Sequence, residues 1–289
     1  MTVRGRGVQS VEIAGRILVA LTRAGRAMML RDLAASAELA PAQAHAYLVS
    51  LRKLALVEQD VATGRYRLGP FALRLGLARL RVSDPLRMAA ETIGLLSDQL
   101  DLLVAITVWG DHGPTVVQVH EAATQVHANV RAGTVFSLTG TATGRVFAAF
   151  AAPALVAEMI AAELANPTHS QRIAAGMRLE DVRRETAEVR AAGYAIADGA
   201  PVPGVSAIAA PVFDHGGQIE LAVTVMGPSG LIDLRPESAQ IAAVVAYAQH
   251  LSGQLGHAAP EAAASFTPSL SDPEPVASLP LRRPYGARR

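Results

Sequence analysis

Residues 30 to 69 read LRDLAASAELAPAQAHAYLVSLRKLALVEQDVATGRYRLG, and the order of elements in this stretch decides the architecture at the front of the chain. Leu30 to Ala37 places Leu30, Leu33 and Ala34 on one face of a short helix. Glu38 to Ala40 form a turn. Pro41 suits the first position of the next helix, where its fixed φ is already helical and its missing N–H would have had no intrahelical partner. Along that helix Ala44, Leu48, Leu51 and Leu54 recur at helical spacing and are expected to face inward. Gln43, His45, Ala46, Tyr47, Ser50, Arg52 and Lys53 are left to face outward or sideways. Val57 to Asp60 and Arg65 to Leu68 alternate as short strands about the turn 61–64, where Gly64 can supply a positive φ. Helix, tight turn, helix and hairpin in this order are the sequence form of a winged helix-turn-helix.

Working outward, Ser10 is expected to cap a helix that runs to Ala24, with Val11, Ala14, Ile17, Leu18 and Leu21 as its apolar stripe and Gly25 as its end. Residues 1–8 form a Gly-rich basic arm with Arg4 and Arg6, read either as a minor-groove arm or as an unstructured terminus. After the wing, Pro70 opens a basic amphipathic helix from Phe71 to Val82 with Leu73, Leu75, Leu77 and Leu80, and 70–84 is read as a linker. Residues 1–81 hold thirteen Arg or Lys against five Asp or Glu, a balance of +8; with +1 over the whole chain, the remainder carries −7. A basic front on an acidic body favours a polyanion as partner for the front, and the winged helix (residues 9–69) makes that polyanion double-stranded DNA. Arg65 and Arg67 stand on alternate residues, share a face and could both reach phosphate.

A chain of 289 residues, 51% hydrophobic and 18% charged, has room for a second folded unit. Asp84-Pro85 starts a helix to Leu100 with Ala89, Ile93 and Leu96 inward. From Leu102 the period changes. The runs LLVAITVW, TVVQVHEA, HANVR and TVFSL are β-rich, with a turn at Asp111 to Pro114. Thr139 to Gly144 leads into a helix from Arg145 to Phe150, followed by helices over Pro153 to Leu164 and Leu179 to Ala192. YAIAD, VSAIAAPVFD and QIELAVTVMG are three further strands, the last two joined by His215 to Gly217, and Pro236 to Leu255 is a closing helix. This mixture indicates an α+β domain around an antiparallel sheet over residues 85–256. Residues 257–289 turn to Ala, Pro and Ser and are read as a disordered tail.

Cysteine is absent, which excludes a disulfide framework and thiolate metal sites. The first ten residues lack the apolar core of a signal peptide and no apolar run reaches a membrane span, so the expectation is a cytoplasmic protein without membrane partner. Walker A, GxGxxG, HExxH and GxSxG motifs are all missing, and an enzyme is not expected. His112, His120 and His127, with Glu121, match no common metal spacing and are read as scattered surface residues. No metal and no cofactor are expected.

Gln9-Ser10-Val11-Glu12 with Arg16-Ile17-Leu18, Leu33-Ala34 before the turn, Gly64-Arg65-Tyr66-Arg67-Leu68-Gly69, Leu138 to Arg145, Arg190 to Tyr194, and Ala209 to Asp214 followed by Gly227-Pro228 are specific in combination. In these residues the chain resembles the isocitrate lyase regulator (IclR) family of bacterial transcription regulators. What the resemblance implies is a winged helix, a linker helix used in dimerisation, and a C-terminal effector domain similar to GAF domains. It also implies operator DNA, a small organic acid effector and self-association as dimer or tetramer, with RNA polymerase a further candidate partner. One departure concerns DNA reading: where family members often carry a Lys-Ser-Thr-like start and a His-Arg pair, this chain has Ala42-Gln43-Ala44 and Ala46-Tyr47. Gln43 can still pair with adenine, His45 can donate to base or phosphate and Tyr47 can reach phosphate, while Arg31, Arg52, Lys53 and the wing are expected to supply affinity.

The resemblance places the amides of Ala142 and Thr143 at the carboxylate of the effector, and exposed N–H groups at a helix start form an anion site. Thr224 and Met226 stand where a small-acid-binding relative has serines. Ala197 stands where it has an acid, with Asp198 next to it, and Phe136, Val205 and Ala207 match other lining positions. The exchange of polar groups for Ala and Met points to a larger, more apolar acid than glyoxylate, an aromatic carboxylate or similar catabolic substrate, with Thr224 on a polar substituent. The alternative function is a dimeric sensor or interaction module that no longer binds DNA.

Overall fold

The computed structural model describes residues 7–121, 130–165 and 177–257. Arg4, Arg6, His127 and the chain after His257 lie outside the described residues. The chain divides into two compact units, Met1–Asp84 and Pro85–Arg289.

The first unit runs α1 (Gln9–Ala24), α2 (Leu30–Ser36), α3 (Pro41–Lys53), β1 (Val57–Gln59), β2 (Tyr66–Leu68) and α4 (Pro70–Arg81). The helix-turn-helix and the wing form as their periodicity dictates, with three differences. Ser10 does not cap α1: the helix opens at Gln9 behind Val8, whose carbonyl accepts from the amides of Val11 and Glu12. The buried stripe of α1 is Ile13, Ile17, Ala20 and Leu21, and Val11 is exposed. Both stripes have helical spacing and share Ile17 and Leu21, which pack in one cluster with Leu33 and Leu48. Leu54 is exposed rather than inward, because α3 ends at Lys53 and Ala55, at φ 55°, turns the chain into β1.

The wing pairs Val57 with Leu68, Glu58 with Arg67 and Gln59 with Tyr66. Met28 exchanges two backbone hydrogen bonds with Tyr66, so the segment before α2 adds a single antiparallel bridge to β2. At the tip the Asp60 carboxyl accepts from the amides of Thr63 at 2.9 Å and Ala62 at 2.8 Å. Those two bonds hold Asp60 below the usual carboxylate range. Gly64, at φ +69°, closes the turn.

The second unit contains α5 (Pro85–Leu100), β3 (Leu103–Gly110), β4 (Gly113–His120), α6 (Ala142–Phe150), α7 (Pro153–Ala165), α8 (Leu179–Ala192), β5 (Ala195–Ala197), β6 (Val205–Phe213), β7 (Ile219–Pro228) and α9 (Ala239–Gln254). The sheet is antiparallel, in the order β4-β3-β7-β6-β5. Val104, Ile106, Ile208, Val223 and Val225 point to one face, where α5 and α9 bring Ile93, Leu96, Val244 and Tyr247. Ala209 and Ala222 point to the other, under Val146 and Phe147 of α6, Val156 of α7 and Val189 of α8. Small residues on the second face let α6 lie close to the sheet.

Several boundaries differ from the periodicity reading. The β3–β4 turn is Asp111-His112 alone, since Trp109 pairs with Pro114 and Gly110 with Gly113. Residues 134–138 do not form a strand; only Val135 bridges to Thr115, while Val116 and Phe136 donate to the carbonyls of Thr134 and Pro114. α6 begins at Ala142, not Arg145, because the Thr141 hydroxyl accepts from the amide of Gly144. α9 begins behind Ser238, whose hydroxyl accepts from the amide of Ile241, not at Pro236. His257, expected to open the unstructured tail, packs its ring 5.0 Å from that of Phe213. No helix among the described residues is long and apolar enough to cross a membrane.

Tyr247 locks α9 to α5. Its hydroxyl lies 2.8 Å from that of Thr92 and donates to the carbonyl of Ala89 at 3.1 Å. Burial pushes its pKa up to about 12. Keeping the phenol protonated therefore contributes stability that is complete below the ordinary value of 10 and lost as pH rises toward about 12. Ultraviolet titration should show one tyrosine ionising late, and Tyr247→Phe should remove that late step and cost about 1–2 kcal/mol in denaturant unfolding. An unchanged titration curve in the variant would contradict the assignment.

Candidate functional site

Two surfaces carry the candidate residues. On the first unit, Gln43 and His45 are exposed near the start of α3, and Arg31 is exposed on α2. Ala40 precedes α3 without a side-chain cap, so the first-turn amides of Ala42 and Gln43 remain open to an outside acceptor. A phosphate is the natural one. Tyr47 is only half exposed, its ring packed against the core of the unit, so packing limits its reach.

The basic residues around the wing are not equivalent. Arg67 meets Glu58, its cross-strand partner, with Nε donating to Oε1 at 2.6 Å. Arg52 donates to Gln59 Oε1 at 3.1 Å, and Gln59 Nε2 donates to the carbonyl of Gly64 at 3.0 Å, which ties α3 to the wing tip. Glu58 and Gln59 were not singled out in the sequence; the cross-strand register is the signal that finds them. Lys53 and Arg65 are exposed and have no carboxylate partner among the described residues.

On the second unit, the cap at Thr141 places Ala142 and Thr143 in the first turn of α6. They line a cavity of about 240 Å³ with Phe136, Val205, Ala207, Thr224 and Met226. Seven of the expected residues thus come together, from the 136–143 segment, β6 and β7. Register explains it: Ala207 pairs with Met226 and with Ala197, and alternate residues of each strand point to the same side. The Thr143 and Thr224 hydroxyls lie 2.7 Å apart and both residues are buried. Each hydroxyl has one proton, so one donates to the other and the acceptor keeps its own proton for a ligand. Among the described residues no charged side chain lines the cavity.

Asp198 does not line this cavity. Ala197 faces it, so the next residue points the other way, and Asp198 Oδ1 accepts from the Ser206 hydroxyl at 2.9 Å. Ser229 Oγ lies 2.8 Å from Ser206 Oγ; with the Ser206 proton on the carboxyl, Ser229 is the donor of that second bond. Val130, Thr141, Ala200, Pro201 and Val202 line the cavity and were missed. Apart from the cap Thr141, they come from loops, where no periodicity marks a facing side. A second cavity of about 250 Å³ shares Phe136 and is lined also by His112, Ser137, Met159 and Glu163. Among the described residues no group of three or more His, Asp or Glu could hold a metal ion; His127 lies outside them.

Comparison with known proteins places both surfaces in one context. Residues 10–61 match the profile described as the IclR helix-turn-helix domain, and residues 79–253 that of the bacterial transcriptional regulator IclR C-terminal domain. The glycerol operon regulatory protein of Streptomyces griseus is 31% identical over 87% of this chain and 98% of its own length. The HTH-type transcriptional regulator BhcR of Paracoccus denitrificans is 28% identical over 85% of this chain and 87% of its own. The crystal structure of Pseudomonas aeruginosa HmgR superposes with a TM-score of 0.76 at 34% identity, covering 86% of this chain and 99% of that one.

The seat of α6 is testable without a ligand. A Cβ at Gly144 would lie 1.8 Å from the carbonyl oxygen of Ser137 and 2.6 Å from Leu138 Cα, both backbone atoms. Gly144→Ala is expected to lower stability by about 3 kcal/mol, seen as a reduced thermal midpoint of the second unit. Wild-type stability in that variant would mean that α6 does not seat this closely.

Proposed function

The chain belongs to the IclR family of bacterial transcriptional regulators, and from that premise we propose that it is a cytoplasmic regulator whose operator binding is modulated by an organic acid of apolar body held in the α6 cavity. The DNA-binding helix-turn-helix and the C-terminal effector domain come with the family. The observation that carries the ligand reading is the lining of the cavity: the first turn of α6 and a threonine pair at one edge, apolar side chains elsewhere and, among the described residues, no cation. A carboxylate fits the amides, which supply donors and partial positive charge at a helix start. The remaining hydroxyl proton of the threonine pair suits a second oxygen. A volume of about 240 Å³ equals roughly eight waters at about 30 Å³ each, the scale of a single substituted ring rather than a two-carbon acid.

A polyol is a poorer match. The name of the Streptomyces griseus relative refers to a glycerol operon. Three hydroxyls on a three-carbon body would leave most of this apolar wall without a partner and need more acceptors than the lining offers. Self-association is supported by α4, which buries no residue and exposes Leu73, Leu75 and Leu77. As ligand and DNA occupy separate units, the effector acts by binding two states of the assembly with unequal affinity.

On the DNA side, Arg65 and Lys53 at the wing have no carboxylate partner among the described residues, whereas Arg67 is shared with Glu58. In mobility shifts with the DNA upstream of its own gene, Arg65→Ala should weaken binding across sequences and reduce the salt slope by about one. Glu58→Gln, which frees Arg67 and removes a negative charge from the wing, should strengthen binding. Gln43→Ala should change sequence preference instead. Binding unaffected by all three would overturn this docking assignment, and absence of retardation by the wild-type protein would favour the alternative of a sensor that does not bind DNA. Calorimetry of the full-length protein against 4-hydroxybenzoate, phenylacetate, glyoxylate and glycerol should show saturable binding of an aromatic acid; tight glyoxylate or glycerol binding without it would refute the ligand class.

A further inference from the structure

Glu163 lies near the end of α7 and does not line the α6 cavity, yet it holds the segment that shapes it. Its Oε1 accepts from the amide of Leu138 at 2.8 Å. Its Oε2 accepts from the amide of Thr139 at 3.0 Å, the Thr139 hydroxyl at 2.8 Å and the Ser137 hydroxyl at 2.9 Å. One carboxyl group thus receives four hydrogen bonds from three consecutive residues. The bonds continue toward the helix. Ser137 Oγ accepts from the amide of Gly140 at 3.0 Å, the Thr141 hydroxyl donates to the Ser137 carbonyl at 2.8 Å, and Thr141 Oγ1 accepts from the amide of Gly144 at 2.9 Å. Leu138 is fully buried, so water cannot replace the carboxyl at its amide.

We propose that Glu163 is a positioning residue for the cavity: through Ser137, Leu138 and Thr139 it sets the direction in which the first-turn amides of Ala142 and Thr143 face the ligand. Its own charge works against an anion bound nearby, so charge and alignment predict opposite signs when it is neutralised. In Glu163→Gln one of the two oxygens becomes an NH₂ group. If the remaining oxygen takes the position of Oε2, the amide of Leu138 faces a donor; in the other orientation, the Thr139 amide and two hydroxyls lose their acceptor. Alignment is lost either way. The charge effect alone would tighten anion binding.

The experiment uses the full-length protein as wild type, Glu163→Gln and Thr139→Val, which removes one hydroxyl donor to the carboxyl and keeps the other three bonds. Amide hydrogen exchange over residues 137–144 is compared with that over β6 and β7, and the affinity for 4-hydroxybenzoate is measured by calorimetry. In Glu163→Gln the exchange of the 137–144 segment should accelerate roughly tenfold or more, the scale of a lost hydrogen bond to a charged group, with β6 and β7 unchanged. The dissociation constant should rise by roughly tenfold, since the anion loses aligned donors of similar worth. Thr139→Val should show the same signs at smaller size, and it carries both measurements if the glutamine variant fails to fold. Unchanged exchange at 141–144, or tighter binding of the acid, would overturn the proposal. The affinity arm rests on the acid-binding reading. Wild type that binds none of the acid refutes that reading, while the exchange arm still decides whether Glu163 sets the helix start.

Discussion

The second unit is organised around one close approach, that of residue 144 to the carbonyl of Ser137, where a single methyl group would overlap. With hydrogen in that place, the first turn of α6 drops onto the 137–138 backbone and is stopped there. Thr141 can then cap the helix, and Thr143 reaches Thr224 across the layer. The same descent brings Phe147 onto the alanine-rich face of the sheet, within 5.9 Å of the Trp109 ring. Arg145 donates to the carbonyl of Ile196 at 3.0 Å and lies 3.2 Å from Glu185, and Arg190 donates to the carbonyl of Ala149 at 2.6 Å. The helix is therefore tied along its length to β5 and α8. A cavity persists beside its first turn because Ala197, Ala207 and Ala142 are too small to close it.

Burial on both faces explains why β7 reads as a near-continuous apolar run. Seven consecutive residues, Leu221 to Gly227, are buried, with α9 and α5 on one side and α6 on the other. A run of this kind marks a central strand without revealing which residues face which layer. The winged helix was more legible, since its elements are amphipathic and one-sided. There the errors fell where two stripes share helical spacing, as with Val11 against Ile13, or where a backbone turn at Ala55 redirects the chain beyond Lys53. Caps decided the remaining boundaries: a threonine three residues before Gly144 and a serine three before Ile241 move the starts of α6 and α9.

The cavity was legible to the extent that it is built from strands and a helix start. Thr224 and Met226 share a side by the period of two, and the register of β6 against β7 brings Ala207 opposite Met226. Asp198 was misplaced by one residue, which in an extended segment reverses the direction of the side chain. Val130, Ala200, Pro201 and Val202 come from connections whose path depends on the finished sheet. Glu163 was invisible for a different reason. A lone glutamate near the end of an alanine-rich helix reads as solvated, and only the folded chain shows that three residues more than twenty positions earlier donate to it.

The first unit shows how pairing changes the meaning of a basic count. Of the wing arginines, Arg67 is held by Glu58, and a surface pair of this kind contributes only about 0–1 kcal/mol. That is weak enough for a phosphate to replace the carboxylate, yet Glu58 stays on the wing and repels the same phosphate. The pair therefore gives the hairpin a preferred side-chain arrangement at the expense of field strength. Arg52 is held by a neutral amide, Gln59, and keeps its full charge while being aimed toward the wing. Affinity for a polyanion then rests on fewer groups than the excess of +8 over residues 1–81 implies. The uncapped start of α3 adds open first-turn amides beside the exposed side chains of Gln43 and His45, a second source of positive potential that no residue count includes.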